Sequence, residues 1–448
     1  MSRILLSNVR ALLPETEEFE PADILLDGGE ISEILPHSSP SFAHRTKRPE
    51  GDSMELQADI KKDMNNMLAV PGLIDMHTHL RDPGQGHKES IRSGTEAAVR
   101  GGFAAVVAMP NTSPVIDSPA LIESVREKAE REAAARVHQT GAITQKSRGE
   151  KLAELGRMRE AGAVAVSDDG RPVMDSEVMK LAMEYSRAFD LPIISHCEDI
   201  NLSGEGVVHE GYYSTLTGLP GMPASAETVM VARDLCLAGE TGCQLHIAHV
   251  STARSLDLIR RARKRGVRVS CEVTPHHFSL TDENITSFDT SCKVNPPLRP
   301  REDVEALKEG LADGTVDVIT TDHAPHTRAE KDVEFDFAPF GISGLETALG
   351  LVFTHLVKPG ILSGAEAIKK MTSEPAGVLD IEGGQLRAGR PGDVTVIDEE
   401  AEWEVRGEKF RSRGKNTPFQ GKTLKGKPVL TAVAGNIMWE DEKINELC

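Results

Sequence analysis

The sequence predicts an α/β fold, a (β/α)8 barrel joined to a small β domain formed by both chain ends. Three observations carry that prediction. Eight short β-rich runs alternate with amphipathic stretches through the middle of the chain, both ends carry only strand-and-turn patterns, and 448 residues exceed what one compact core usually holds.

The β-rich runs are "GLIDMHTH" (72–79), "FAAVVAM" (103–109), "VHQTGAIT" (137–144), "AVAVSD" (163–168), "LPIISHC" (191–197), "CQLHIAHV" (243–250), "GVRVSCEVT" (266–274) and "VDVITTDH" (316–323). Between them lie helical patterns such as 118–136, 175–189 and 252–266. The last of these has Ser251 and Thr252 before it and Gly266 at its end, as a capped helix should. Eight strands with helical crossovers over about 290 residues match the usual size of a (β/α)8 barrel. A doubly wound open sheet is the competitor, because alternation alone does not separate the two. No G-x-G-x-x-G follows the first strand and no G-x-x-x-x-G-K-[ST] occurs, so a nucleotide-binding open sheet lacks support.

The ends read differently. Residues 1–35 hold "RILLSNVRAL" and "ADILLDGGEISEILP", with glycine at the bend, and residues 383–448 hold "GDVTVIDEE", "EWEVRG" and "PVLTAVAGNIMWE". Neither end suffices for a core alone. The expected division is therefore a β domain from 1–68 and 383–448 beside a barrel over 69–382. The polar, pattern-poor segment 37–67 reads mostly as a surface loop. There is no internal repeat.

Composition narrows the function classes. Hydrophobic residues at 39% and charged residues at 27% suit a soluble globular enzyme. A net charge of -19 disfavours a broad nucleic-acid or anionic-membrane surface, but not an anionic small substrate held by a local arginine. The six cysteines form no C-x-x-C pair, and several sit in apolar runs, which favours a reduced, cytoplasmic protein. The first twenty residues have no long apolar core and turn acidic, unlike a secretory signal. No apolar run approaches the roughly 18 residues of a membrane span.

Chemistry concentrates at the strand ends. Side chains alternate along a strand, so His77 and His79 share a face with Thr78 opposite, an arrangement that suits a divalent metal at the C-terminal end of a barrel strand. Alone, H-x-H is a weak signal. But Asp168 and Asp169 follow strand four, His196 ends strand five, His249 ends strand six, and Asp322 with His323 ends strand eight. Any one of these could be a hydrogen-bonded core residue or a turn cap, as Asp168 or Asp169 could be in "SDDG". Together they put nitrogen and oxygen donors at one end of the barrel, where burial without partners or metal is costly. Such a donor set favours zinc, with manganese or cobalt behind it. By parity His246 faces away from His249, which places His246 outside the barrel against a helix. No spacing argument selects His276 or His277, and His87 with Lys88 reads as the approach to the first helix. Two metals need a shared anion: a carboxylate can bridge them, and a water-derived hydroxide can complete the bridge. Metal coordination makes that water a nucleophile near neutral pH. Asp322 can take its proton and pass it to a leaving nitrogen.

The motifs "PGLIDMHTHLRDPG", "GGFAAVVAMPNTSP", "SDDG", "ISHCED", "AHVST", "EVTPHH", "NPPLR", "TDHAPH" and "APFGISGLET" together resemble the dihydroorotases of the amidohydrolase superfamily over nearly the whole chain. The resemblance implies a TIM-type barrel flanked by a β-sandwich made from both ends. It implies zinc, one or two ions with two favoured: His77 and His79 on the first, His196 and His249 on the second, Asp169 bridging, and Asp322 as first-metal ligand and general acid/base. Many superfamily members bridge with a carboxylated lysine. Strand four has none, so the chain resembles the branch that uses aspartate. His79, Arg81, Asn111 and His326 match substrate contacts, with Arg81, Asn111 and His326 anchoring the carboxylate. Asn295 matches a contact to the substrate ring, and Phe340 with Gly341 a backbone contact. A guanidinium fork suits a carboxylate on physical grounds as well. Asp82, next to Arg81, is assigned no ligand role. Residues 326–339 resemble the mobile loop beside the site.

The implied activity is reversible cyclisation of N-carbamoyl-L-aspartate to L-dihydroorotate in pyrimidine synthesis. A dihydropyrimidinase, hydantoinase or allantoinase is the second reading, although its substrates lack the carboxylate that Arg81 would hold. The third is a silent barrel scaffolding aspartate transcarbamoylase, which missing metal ligands would betray; here all six are present. A homodimer and a transcarbamoylase complex are the expected assemblies to consider.

Overall fold

Buried strands followed by amphipathic helices build the predicted barrel. The structure is a computed structural model and describes residues 2–37 and 58–442. Its eight barrel strands are Leu73–Thr78, Phe103–Ala108, Arg136–Gly141, Ala163–Val166, Ile193–Ser195, Leu245–Ile247, Val269–Val273 and Val318–Ile319, each beside the next in chain order. Their paired neighbours run parallel, and a parallel bridge from Thr78 to His323 joins the last strand to the first. The open-sheet alternative is therefore excluded. Each of the eight predicted runs coincides with a strand shorter than itself, the third starting one residue early, at Arg136.

The helices follow their capping signals. Ala253–Lys264 begins after Thr252, whose hydroxyl accepts from the Ser255 N–H, and Gly266 beyond it has φ +83°. Ser176–Arg187 is capped by Asp175, and Pro119–Glu132 opens on a proline after Ser118. One apolar cluster joins Met76, Val107, Val164, Ile194 and Val318 from five barrel strands. A larger one packs the strands' other faces, Phe103, Val106, Ile193, Leu245 and Ile319, against helix residues such as Ile122, Met183 and Leu256.

The two ends meet in one sheet. Its hydrogen-bonded order is Asn436–Glu440, Thr423–Val433, Val394–Glu404, Leu68–Pro71, Ile4–Leu13, Glu18–Asp27 and Glu30–Pro36. Residues from both of its arms, including Leu6, Ile24, Val394 and Leu430, share one buried cluster, as a sandwich core requires. Two expectations need correction. "GDVTVIDEE" and "EWEVRG" form a single strand, Val394–Glu404, with a shift of register between Asp398 and Glu402. Within 37–67, Ile60–Asp63 is a strand paired in parallel with Ile4–Ser7, and Met64 is buried; residues 38–57 lie outside the described residues. A solvent-facing edge strand such as "IKKD" carries no apolar alternation to betray it. Among the described residues no helix is long and apolar enough to cross a membrane.

The chain passes from the end sheet to the barrel at Gly72. A Cβ there would lie 2.3 Å from the Cβ of Ala104 and 3.2 Å from that of Asp393, so the two layers meet where only glycine fits. Gly72→Ala is expected to cost about 1–3 kcal/mol, read as a drop in urea midpoint with the slope unchanged.

Candidate active site

The strand ends bring the predicted donors into one buried cluster. Asp169 sits at its centre. Its Oδ1 lies 3.4 Å from His77 Nε2, 3.5 Å from His196 Nδ1 and 3.7 Å from His249 Nε2, and its Oδ2 lies 3.6 Å from His79 Nε2. Asp168 turns away, accepting from the Ile143 and Thr144 N–H groups and the Thr144 hydroxyl. Two sets of donors thus overlap at Asp169: His77 with His79, and His196 with His249. Asp322 stands beside the first set, its Oδ1 2.9 Å from His79 Nε2 and 3.8 Å from His77 Nε2.

Neighbours orient each ring. His77 Nδ1 donates to Glu272 at 2.6 Å, which turns its Nε2 toward Asp169. His79 Nδ1 donates to Asn111 Oδ1 at 3.0 Å, while the Asn111 amide donates to Asp169 Oδ2 at 3.0 Å. His196 Nε2 donates to Glu198 at 2.8 Å, leaving Nδ1 opposite His249 Nε2 at 2.9 Å. His77 Nε2 and Asp169 Oδ1 are buried and make no hydrogen bond among the described residues. Facing ring nitrogens around a buried carboxylate oxygen form a donor set that fits a divalent cation.

The electrostatics agree. Burial pushes the Asp169 carboxyl up, but the His77 charge and the close His196, His249 and His77 rings more than offset it, leaving it well below the usual carboxylate range. Burial likewise opposes Asp322, yet the His79 hydrogen bond and the charges of His77, His79 and His249 hold it low. Burial works against a charge on His196, but Asp169 and Glu198 raise it to about 10. The carboxylates therefore make this cluster a strong attractor of positive charge, whether protons or a divalent ion.

The barrel mouth carries the predicted substrate contacts. Arg81 has φ +57°, which swings its side chain over the mouth; Nε donates to Pro325 O at 3.4 Å and Nη2 lies 3.3 Å from His326 Nε2. No carboxylate of the described residues pairs with it, although burial pulls its pKa below the usual value. His326 also lies 2.8 Å from Phe340 O, and burial with the Arg81 and Lys88 charges lowers it to about 3, so its ring is neutral. Asn295 donates to Glu198 at 2.8 Å. Gly341 has φ +124°, and its N–H donates to Lys293 O at 2.9 Å.

One expectation fails here, and several neighbours find partners outside the cluster. His246 is inside the barrel: it bonds Ser270 Oγ at 2.8 Å and Glu272 at 3.2 Å, and Glu272 is the partner of His77. The parity argument broke because the strand ends at Ile247 and His249 has φ +32°, so alternation does not extend to it. His87 and Lys88 do lead into the first helix, which starts at Ile91 with Ser90 as its cap, and Lys88 also pairs with Glu330 at 2.9 Å and approaches His326 at 3.5 Å. His323 leaves the cluster for the Gly344 N–H and Glu89. Asp82 turns to Lys128 at 2.6 Å. His277 bonds Thr274 and Pro296 O, whereas His276 is buried with Nε2 unpartnered and within electrostatic reach of Asp322 and His249. Residues 326–339 include a capped turn of helix, Arg328–Lys331.

Comparisons with known proteins place this architecture. The family model described as "Dihydro-orotase-like" matches residues 66–255. A dihydroorotase of Pelotomaculum thermopropionicum is 57% identical over 85% of this chain and 89% of its own. One of Syntrophus aciditrophicus is 49% identical over 98% of this chain and 100% of its own. The chain belongs to the dihydroorotase family. Among solved structures, the L-hydantoinase (dihydropyrimidinase) of Arthrobacter aurescens superposes with a TM-score of 0.85 at 25% identity, covering 98% of this chain and 96% of that one. The dihydropyrimidinase of Brevibacillus agri NCHU1002 does so with 0.82 at 20%, covering 97% and 94%, a likeness of fold.

Sequence reasoning missed three residues that the structure places around this site. Glu272 and Glu198 orient His77 and His196. Asn416, from the C-terminal part of the chain, accepts from the His326 N–H at 3.3 Å and donates to Gly341 O at 2.9 Å. Glu272 had a legible signal, a lone charge inside the apolar run "VSCEV". Glu198 lies two residues after His196. Asn416 had no local signal.

Proposed function

We propose that this chain catalyses the reversible cyclisation of N-carbamoyl-L-aspartate to L-dihydroorotate in de novo pyrimidine biosynthesis, as a zinc-dependent cyclic amide hydrolase. The observation that carries it is the pairing of two things in one cleft: the four-histidine cluster around Asp169, and at its mouth the Arg81 guanidinium, which has no carboxylate partner among the described residues. The family and its named relatives agree.

His77 and His79 would hold one ion, His196 and His249 a second, and Asp169 both, with Asp322 joining the first set. Bound zinc lowers the pKa of water toward neutrality and polarises a carbonyl. In the hydrolytic direction water attacks the ring amide carbonyl, Asp322 takes a proton from it, and Asp322 returns a proton to the departing ring nitrogen. Arg81 carries the substrate carboxylate with Asn111 and His326, because two parallel N–H donors match two carboxylate oxygens. Asn295 and the Phe340–Gly341 backbone position the ring. Glu272 and Glu198 keep the ring nitrogens aimed.

The reading is tested by an ultraviolet assay of dihydroorotate opening on protein whose metal has been quantified. Turnover with close to two zinc ions per chain is expected, and zinc-loaded protein that neither opens dihydroorotate nor closes carbamoyl aspartate would refute it. Replacing Glu272 by glutamine is expected to weaken zinc about 10- to 100-fold, measured by competition with a chromogenic chelator. The likeness to an L-hydantoinase supports a second reading, hydrolysis of an uncharged cyclic amide, which the response of Arg81 variants decides.

A cytoplasmic location fits the five described cysteines, all free. A homodimer or a complex with aspartate transcarbamoylase is part of the same proposal, checked by light scattering after size exclusion.

A further inference from the structure

The chain has two tryptophans, and both line one cavity of about 300 Å³ between the barrel and the end sheet, outside the histidine cluster. Trp403 and Trp439 come from separate strands of the sheet, and Phe410 adds a third ring. The volume is at the small end of ligand sites. In a chain with 4% aromatic residues, three large rings around one part-open space form a stacking surface for a flat molecule.

The charges around it are mostly positive, although the whole chain carries -19. Arg100, Arg406, Lys409 and Lys427 line the cavity against Glu346 and Glu404. Arg406 pairs with Glu404 at 3.1 Å, Arg100 faces Glu346 at 3.3 Å, and Lys427 pairs with Asp441 just beyond. The Lys409 ammonium has no partner among the described residues. A net positive, aromatic-walled cavity on an acidic protein suits an anion.

Glu346 adds a hydrogen-bonding group to the wall of the cavity. Its side chain is only 4% exposed, its Oε1 accepts from the Arg411 and Ser412 N–H groups, and its Oε2 faces Arg100 Nη1 at 3.3 Å without making a hydrogen bond among the described residues. Arg100 compensates the buried charge, while the hydrogen-bonding capacity of Oε2 remains for a group in the cavity that Glu346 lines. Burial raises this carboxyl to about 7, so it can donate or accept near neutral pH.

We propose that this cavity binds a planar anionic heterocycle of nucleoside-monophosphate size, its ring stacked on the tryptophans, a ring N–H or carbonyl on Glu346, and its phosphate on Lys409 and Arg406. The site is separate from the catalytic cleft and takes no part in the ring opening.

The tryptophans report on their own site. Titrating the full-length, metal-loaded protein with uridine monophosphate and with adenosine monophosphate is expected to change tryptophan fluorescence saturably for at least one of them, with a Kd below about 1 mM. Uridine and adenosine, lacking the phosphate, are expected to bind at least about tenfold more weakly. Lys409→Glu and Arg406→Glu, both at exposed positions, are each expected to weaken binding about tenfold or more with an unchanged circular-dichroism spectrum. Arg81→Met is expected to bind as the parent does. No saturable change with either nucleotide, equal binding of the nucleosides, undiminished affinity in both folded charge reversals, or loss of the signal in Arg81→Met would each overturn the assignment.

Discussion

Asp322→Asn is expected to lower kcat for dihydroorotate opening by about 10²- to 10⁴-fold, the range that a positioned general acid/base supplies. The geometry makes the test clean. Asparagine keeps an oxygen for the 2.9 Å hydrogen bond with His79, so the ring and the neighbouring Asp169 should stay in place. What is lost is the site that takes a proton from water and returns it to nitrogen. The four histidines and Asp169 should retain metal, so zinc content is measured alongside kcat. A variant that keeps its zinc and turns over within about tenfold of the parent would remove Asp322 from the proton-transfer role. A variant that loses its zinc would show instead that the carboxylate acts chiefly as a ligand.

Arg81→Met is expected to lower kcat/KM for dihydroorotate by about 10²- to 10⁴-fold, because two charge-assisted hydrogen bonds contribute about 1.5–3 kcal/mol each. Methionine preserves the length and apolar stem of the side chain and removes only the fork. The guanidinium has no carboxylate partner among the described residues, so its removal strands no buried anion within the protein. An uncharged hydantoin should be processed with little change, since it carries nothing for the fork to hold. Equal loss on both compounds would count against substrate recognition by Arg81 and in favour of a role in shaping the mouth through its contacts with His326 and Pro325.

Much of this was legible from local pattern. Strand positions followed from apolar runs, and helix starts from residues such as Thr252 and Asp175 whose side chains close the first turn. The H-x-H pair shares a site because period-two alternation holds along the strand to Thr78. The same rule misplaced His246, because it was carried past Ile247 to a residue with a left-handed backbone. Arg81 and Asp322 also have positive φ, +57° and +45°, so the directions of these side chains depend on the loops that hold them. Edge strand Ile60–Asp63 was illegible for a different reason: its residues face water and need no apolar alternation.

By itself the sequence determined eight strands alternating with helices, the strand-forming character of the two chain ends, and which side chains stand at the strand ends, because hydrophobic periodicity and capping act over a few neighbouring residues. Only the tertiary structure decided that the eight strands close into a barrel, that Glu272 and Glu198 aim two of the rings, that Asn416 reaches the mouth from the far end of the chain, and that both tryptophans meet in one cavity. Those facts depend on where distant segments cross. Hydrogen bonds and ring contacts between residues hundreds of positions apart are set by the closure of the barrel against the sheet, and no local pattern encodes that distance.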